Sequence, residues 1–71
     1  MNNKERFELE ALPERIEALE AEQEQLYAQM SAPAFYRSEG DDVAQVKARL
    51  DAITQALETA YKRWEMLEQL R

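Results

Sequence analysis

The strongest constraint in this sequence is a pair of matched hydrophobic ladders. Leu9, Leu12, Ile16, Leu19, Gln23, Leu26 and Met30 follow one another in steps of three and four, as do Val43, Val46, Leu50, Ile53, Leu57, Ala60, Trp64 and Leu67. Such spacing puts each set on one stripe of an α-helix and forms the seam of a coiled coil. Between the ladders, Ser31 to Asp42 holds Pro33 and the only glycine, Gly40, which gives the chain a place to reverse. The ladders therefore predict an all-α fold, a two-helix antiparallel coiled-coil hairpin forming one domain over residues 1–71. Helix one is expected over about 5–30, a turn over 31–42 and helix two over about 43–70.

Size and composition narrow what such a hairpin can do. A chain of 71 residues has too little interior to enclose a substrate pocket beside a core, which argues against an independent enzyme. It contains no cysteine and no histidine, which removes disulfides, zinc fingers, thiol catalysis and imidazole bases. No catalytic residue, metal or cofactor is expected, and acid pairs such as Glu20 and Glu24 are ordinary solvated helix faces. No apolar run approaches the roughly 18 residues of a spanning helix. Met1-Asn2-Asn3-Lys4 leads into a polar helix rather than a signal-peptide core, so a cytoplasmic protein without a membrane partner is expected.

The formal net charge of −6 ordinarily opposes nucleic-acid binding, because Lys and Arg neutralising phosphates supply most of that affinity. The charge is unevenly divided along the chain. Residues 1–30 carry eight acids against three bases, residues 31–42 three against one, and residues 43–71 four against five. A phosphate-facing surface is thus expected on helix two, while an acidic helix one suits solubility and complements its partner.

Helix one is expected to be firm from Pro13 onward, since proline in a first turn loses no helical hydrogen bond and Glu14 and Glu17 suit the positive end of the helix dipole. Leu9 and Leu12 keep the heptad phase upstream of it. Either the helix runs through Pro13 with a kink, the reading adopted, or a short preceding turn ends at Leu12. In the break, Ala34-Phe35-Tyr36 is apolar, so these rings are expected to cover the last core layer. Gly40 offers a sharp turn, and Asp41 or Asp42 a cap for helix two.

Antiparallel pairing permits two registers one heptad apart. One sets Leu26 against Val43, Leu19 against Leu50, Ile16 against Ile53 and Leu12 against Leu57; the other sets Leu26 against Leu50, Leu19 against Leu57 and Leu12 against Trp64. The first brings Glu8 towards Arg63 and Glu22 towards Arg49, the second Arg15 near Arg63, so charge favours the first mildly. Gln23 reads as a register-setting polar layer and Trp64 as a core residue.

Three stretches exceed a generic coiled coil: Glu8-Leu9-Glu10-Ala11-Leu12-Pro13 followed by Ile16-Glu17-Ala18-Leu19-Glu20, then Ala32-Pro33-Ala34-Phe35-Tyr36, then Arg63-Trp64-Glu65-Met66-Leu67-Glu68. In this order and spacing they resemble the C-terminal domain of Uup-type ABC-F ATPases, cytoplasmic proteins with two ATP-binding cassettes in one chain. The resemblance covers nearly all of residues 4–70. It implies a hairpin appended after the second cassette, without an ATPase site of its own, that contacts DNA, or RNA in a ribosomal setting. Two departures stand out: Ala32 replaces the aspartate usual before the turn proline, and the basic linker that joins cassettes to hairpin in the family is missing. The chain thus reads as an excised piece of a larger ATPase, with Met1 not a gene start and part of the phosphate-binding charge absent.

On this reading Arg37 at the tip, Lys47, Arg49, Lys62 and Arg63 along helix two, and Arg71 at its end touch backbone phosphates without reading bases. Lys47, Arg49, Lys62 and Arg63 fall at e, g, f and g positions, so the contact surface must be wide. The expected partners are nucleic acid, bound weakly by this chain alone, and the cassettes of the parent ATPase; the hairpin itself is expected to be monomeric. Two alternatives stand beside it. One is a protein-interaction spacer docking on the parent ATPase or on a second copy. The other is the coiled-coil arm of a class I aminoacyl-tRNA synthetase such as the valyl enzyme, which the P-x-FY turn and the RWExLE ending disfavour.

Overall fold

In the computed structural model, which describes residues 1–32, 35 and 40–71 (without the side chains of residues 40 and 41), the two ladders form two helices. These are α1, Asn3–Ser31, and α2, Gly40–Gln69. They lie against one another along a rod of 51 × 15 × 15 Å. No strand occurs among the described residues. The fold is the antiparallel all-α hairpin that the ladders imply.

Helix α1 begins two residues before the expected start near residue 5, because a capping box sits at its start. The Asn2 side-chain oxygen accepts from the Glu5 backbone N–H at 2.8 Å, and the Glu5 carboxylate accepts from the Asn2 backbone N–H at 3.1 Å. Two donors that a helix start otherwise leaves open are thereby satisfied. The helix then continues through Pro13 without a break. Proline lacks the N–H that the Leu9 carbonyl needs, so this continuity is held by packing of Leu12 and Ile16 rather than by local preference. At the other end, Ala32 turns to an extended conformation (φ −72°, ψ 132°), which suits a residue preceding proline, and its N–H donates to the Gln29 carbonyl at 3.2 Å.

The start of α2 departs from expectation. Gly40, Asp41 and Asp42 lie inside its first turn, and no described residue, glycine included, has positive φ. Gly40 is therefore a helical residue here rather than a sharp-turn residue. Of the proposed plug, Phe35 is buried, with 5% of its surface exposed, and its N–H donates to the Ala32 carbonyl at 3.0 Å. Ala34 and Tyr36 lie outside the described residues.

The core is a single seam. Leu12, Ile16, Ile53, Leu57, Ala60 and Leu67 are buried together, with Leu9, Leu19, Leu26 and Trp64 packed half-buried against them. Trp64 thus flanks the core rather than filling it, in contrast to the sequence reading. In the observed register its opposite position falls at Glu5, upstream of the apolar ladder of α1, so one side of the ring meets solvent. Gln23 is half-buried within the seam, while the cross-helix hydrogen bonds run through Glu8, Glu20 and Glu22.

Candidate functional site

Of the two registers, charge picks out the one that forms. Arg63 Nε and Nη2 donate to the Glu8 carboxylate at 2.6 and 2.9 Å, and Arg49 Nε and Nη2 donate to Glu22 at 2.6 and 2.7 Å. These forks join g positions of α1 to g positions of α2, as an antiparallel coiled coil requires. They identify one long side of the hairpin. The opposite side is marked by e positions, where the Tyr61 hydroxyl donates to Glu20 at 3.0 Å.

The ion pairs also set protonation. Hydrogen bonding to Arg63 holds the Glu8 carboxyl below its ordinary value, with Lys4 adding a smaller attraction. The bond to Arg49 lowers Glu22 likewise. Each guanidinium is in turn held more firmly charged by its partner. The bond to Glu20 pushes the Tyr61 hydroxyl up, since ionising it puts two negative charges side by side.

The candidate phosphate contacts are therefore not equivalent. Arg49 and Arg63 share one side but already bind carboxylates. Lys62 lies on the outer edge, 3.6 Å from Glu58, and Arg71 pairs with Glu68 at 3.0 Å beyond the end of α2. Lys47 is exposed on the Tyr61 side. Arg37 lies outside the described residues. No single stripe gathers these groups.

What does separate is charge by side rather than by helix. Over the rod formed by residues 4–25 and 45–70, the g and c positions hold four cations, Lys4, Arg15, Arg49 and Arg63, against two carboxylates, Glu8 and Glu22. The adjoining Glu5 carboxylate caps α1 and also adds a smaller attraction on Arg63. The b and e positions hold two cations, Arg6 and Lys47, against eight acids: Glu10, Glu17, Glu20, Glu24, Asp51, Glu58, Glu65 and Glu68. Two of the grooves follow the same division, while a third, beside Trp64, mixes Arg6 and Arg71 with Glu10 and Glu68. One is lined by Ala11, Arg15, Ala52, Ala56, Thr59 and Arg63 with Glu8, another by Glu17, Glu20, Glu24 and Tyr27.

Arg15 and Lys4 belong to the basic side, and the charge tally along the chain missed both because it assigned charge to helices and not to faces. The signal lay in the neighbours of Arg15. Residues three and four away on its helix are Ala11, Leu12, Ala18 and Leu19, and the g position opposite is Ala56, so nothing nearby can pair with it. Among the described residues no group of acids and imidazoles could hold a metal ion, and no helix is long and apolar enough to cross a membrane.

This architecture, a short helical hairpin with charge-segregated sides, is that of a coiled-coil domain. Residues 1–69 match the model of the ABC transporter C-terminal domain, and the chain belongs to that family. It is 41% identical over 64 residues to the ATP-binding protein Uup of Escherichia coli, matching 90% of this chain and 10% of that protein. Over 70 residues, 97% of this chain, it is 41% identical to the Uup and Uup-like ATP-binding proteins of Haemophilus influenzae, of which it covers 11% and 15%. The chain thus spans between about a tenth and a seventh of the length of these curated relatives. No solved structure is detectably similar.

Proposed function

We propose that this hairpin is the non-catalytic C-terminal arm of a larger cytoplasmic Uup-type ATPase and that it contacts DNA or ribosomal RNA through backbone phosphates. The observation that supports this reading is the charge segregation. In a protein of net charge −6, one long side carries four cations against two carboxylates, and a polyanion has one side to approach. The ATP sites belong to the cassettes of the parent chain. Phosphate contacts without a base-reading element give affinity that is weak, insensitive to sequence and strongly dependent on salt.

The test is a titration of single-stranded DNA, duplex DNA and structured RNA with this chain and with the parent protein, at several salt concentrations. Affinity is expected to be similar for unrelated sequences and to fall as salt rises above about 0.1 M. Absence of binding by both proteins would exclude the reading.

A second reading has its own support. Arg49 and Arg63 are committed to carboxylates, as expected if charge in this domain serves hairpin register and the arm is a spacer docked on the parent ATPase. Binding to isolated cassettes, with none to nucleic acid, is the result that favours it.

A further inference from the structure

We infer that Arg15, on the acidic first helix, is the residue on which nucleic-acid contact centres, with a phosphodiester backbone seated in the groove between Arg15 and the alanines of α2. The inference rests on the phosphate-contact reading above and assigns it to one face and one anchor.

Three successive g–g′ layers line this side of the hairpin. The outer two, Glu8 with Arg63 and Glu22 with Arg49, are closed by paired hydrogen bonds. In the middle layer Arg15 faces Ala56. A guanidinium there has no carboxylate partner among the described residues, whereas every other arginine on this side has one. It is therefore a full positive charge with five N–H donors to offer. The closed layers stand about 10 Å to either side along the rod, one heptad of helical rise each. Each is close to neutral as a pair yet has guanidinium N–H groups left over, because a fork through Nε and Nη2 uses only part of the donor set.

The groove floor explains why a backbone can come close. Ala52, Ala56 and Thr59 on α2 and Ala11 on α1 are small. Gln55, which also lines the groove, is held by Asp51 one turn back on its own helix, which leaves Arg15 open to an incoming phosphate. The Tyr61 side is the reverse, with eight acids and two cations, and it repels a polyanion. Lys47 lies on that side and Lys62 on the outer edge, so neither shares a surface with Arg15. Single-stranded DNA and structured RNA carry the same phosphodiester chemistry, and the two arms of the experiment separate them.

The experiment measures binding of the 71-residue chain and its variants to a single-stranded oligonucleotide and to a structured RNA at about 0.1 M salt, with helicity followed by circular dichroism. Arg15→Glu is expected to weaken binding to at least one probe by about tenfold and to lower the salt slope by about one phosphate contact. Ala56→Glu gives Arg15 the carboxylate that the middle layer lacks; it is expected to weaken binding similarly while leaving the melting temperature the same or higher. Lys47→Glu is expected to change affinity less than about twofold. If both Arg15→Glu and Ala56→Glu bind like the unmutated chain while Lys47→Glu or Lys62→Glu abolishes binding, the contact is on another side and the inference is overturned. If the unmutated chain binds neither probe while the parent protein binds, the inference is overturned and the phosphate-contact reading stands; if neither protein binds, the reading fails and the inference with it.

Discussion

Glu8 and Glu22 have their pKa values depressed in the folded chain by Arg63 and Arg49, and depressed carboxylates tie stability to pH with a definite sign. Their contribution is fully present above the unfolded value, ordinarily near 4.5, and is lost as pH falls through the lower folded values. A comparison with Glu8→Gln/Glu22→Gln isolates the pairs: the double variant is expected to melt earlier at neutral pH and to differ little from the unmutated chain near pH 2. Thermal melts from pH 7 to 2 check this, and a constant offset at all pH values would remove the pairs from the account. Tyr61 has the opposite sign. Its pKa is raised by Glu20, so its bond contributes below the unfolded value, ordinarily 10.0, and is lost as pH rises through the folded one. In the seam, Ile53 is fully enclosed, so Ile53→Ala should cost about 2–5 kcal/mol. Trp64→Ala should cost less than the roughly 3–5 kcal/mol of a fully buried aromatic, because the ring is half-exposed. Denaturant melts of the two variants rank them. The heptad phase placed both residues on the seam, but phase cannot report how far a layer is covered. That depends on the residue opposite, and Trp64 faces Glu5.

At the scale of the helices, the ladders made the two elements and their antiparallel pairing legible, and the g-position charges selected the register. The ends were less legible, for reasons that can be named. The expected start near residue 5 falls two residues inside the observed one, because Asn2 and Glu5 form a capping box whose pattern is plainly present in the sequence. At Gly40, helical continuity into α2 overrides the residue's preference for a turn. Pro13 is exposed on an otherwise regular α1, so replacing it restores a hydrogen bond without disturbing the core. Pro13→Ala is expected to stabilise the hairpin by about 1–3 kcal/mol. Chemical denaturation checks this, and a destabilised variant would show that the proline serves a bend the fold needs. Asn2→Ala removes one half of the cap and is expected to cost about 1 kcal/mol at the start of α1.

At the scale of the molecule, the distribution of charge decides what a polyanion senses at each ionic strength. The rod is 15 Å across, with its basic and acidic sides on opposite flanks. At 0.15 M salt the Debye length is about 8 Å, so a phosphate backbone on the basic side is largely shielded from the acids behind it. At 0.01 M it is about 30 Å, longer than the rod is wide, and the same backbone meets the whole charge of −6. Counterion release alone gives a straight rise in log affinity as log salt falls. For this hairpin the rise is expected to flatten or turn over below roughly 0.05 M, where long-range repulsion overtakes the local attraction. Glu17→Lys/Glu24→Lys lies on the acidic side, across the helix from Arg15, so it should restore the straight line at low salt while changing affinity less at 0.15 M, where screening is already short-ranged. Titrations of one oligonucleotide from 0.01 to 0.3 M salt on both proteins make the measurement. A straight line for the unmutated chain down to the lowest salt would mean that the two sides do not act separately, and the face-specific account of binding would not survive it.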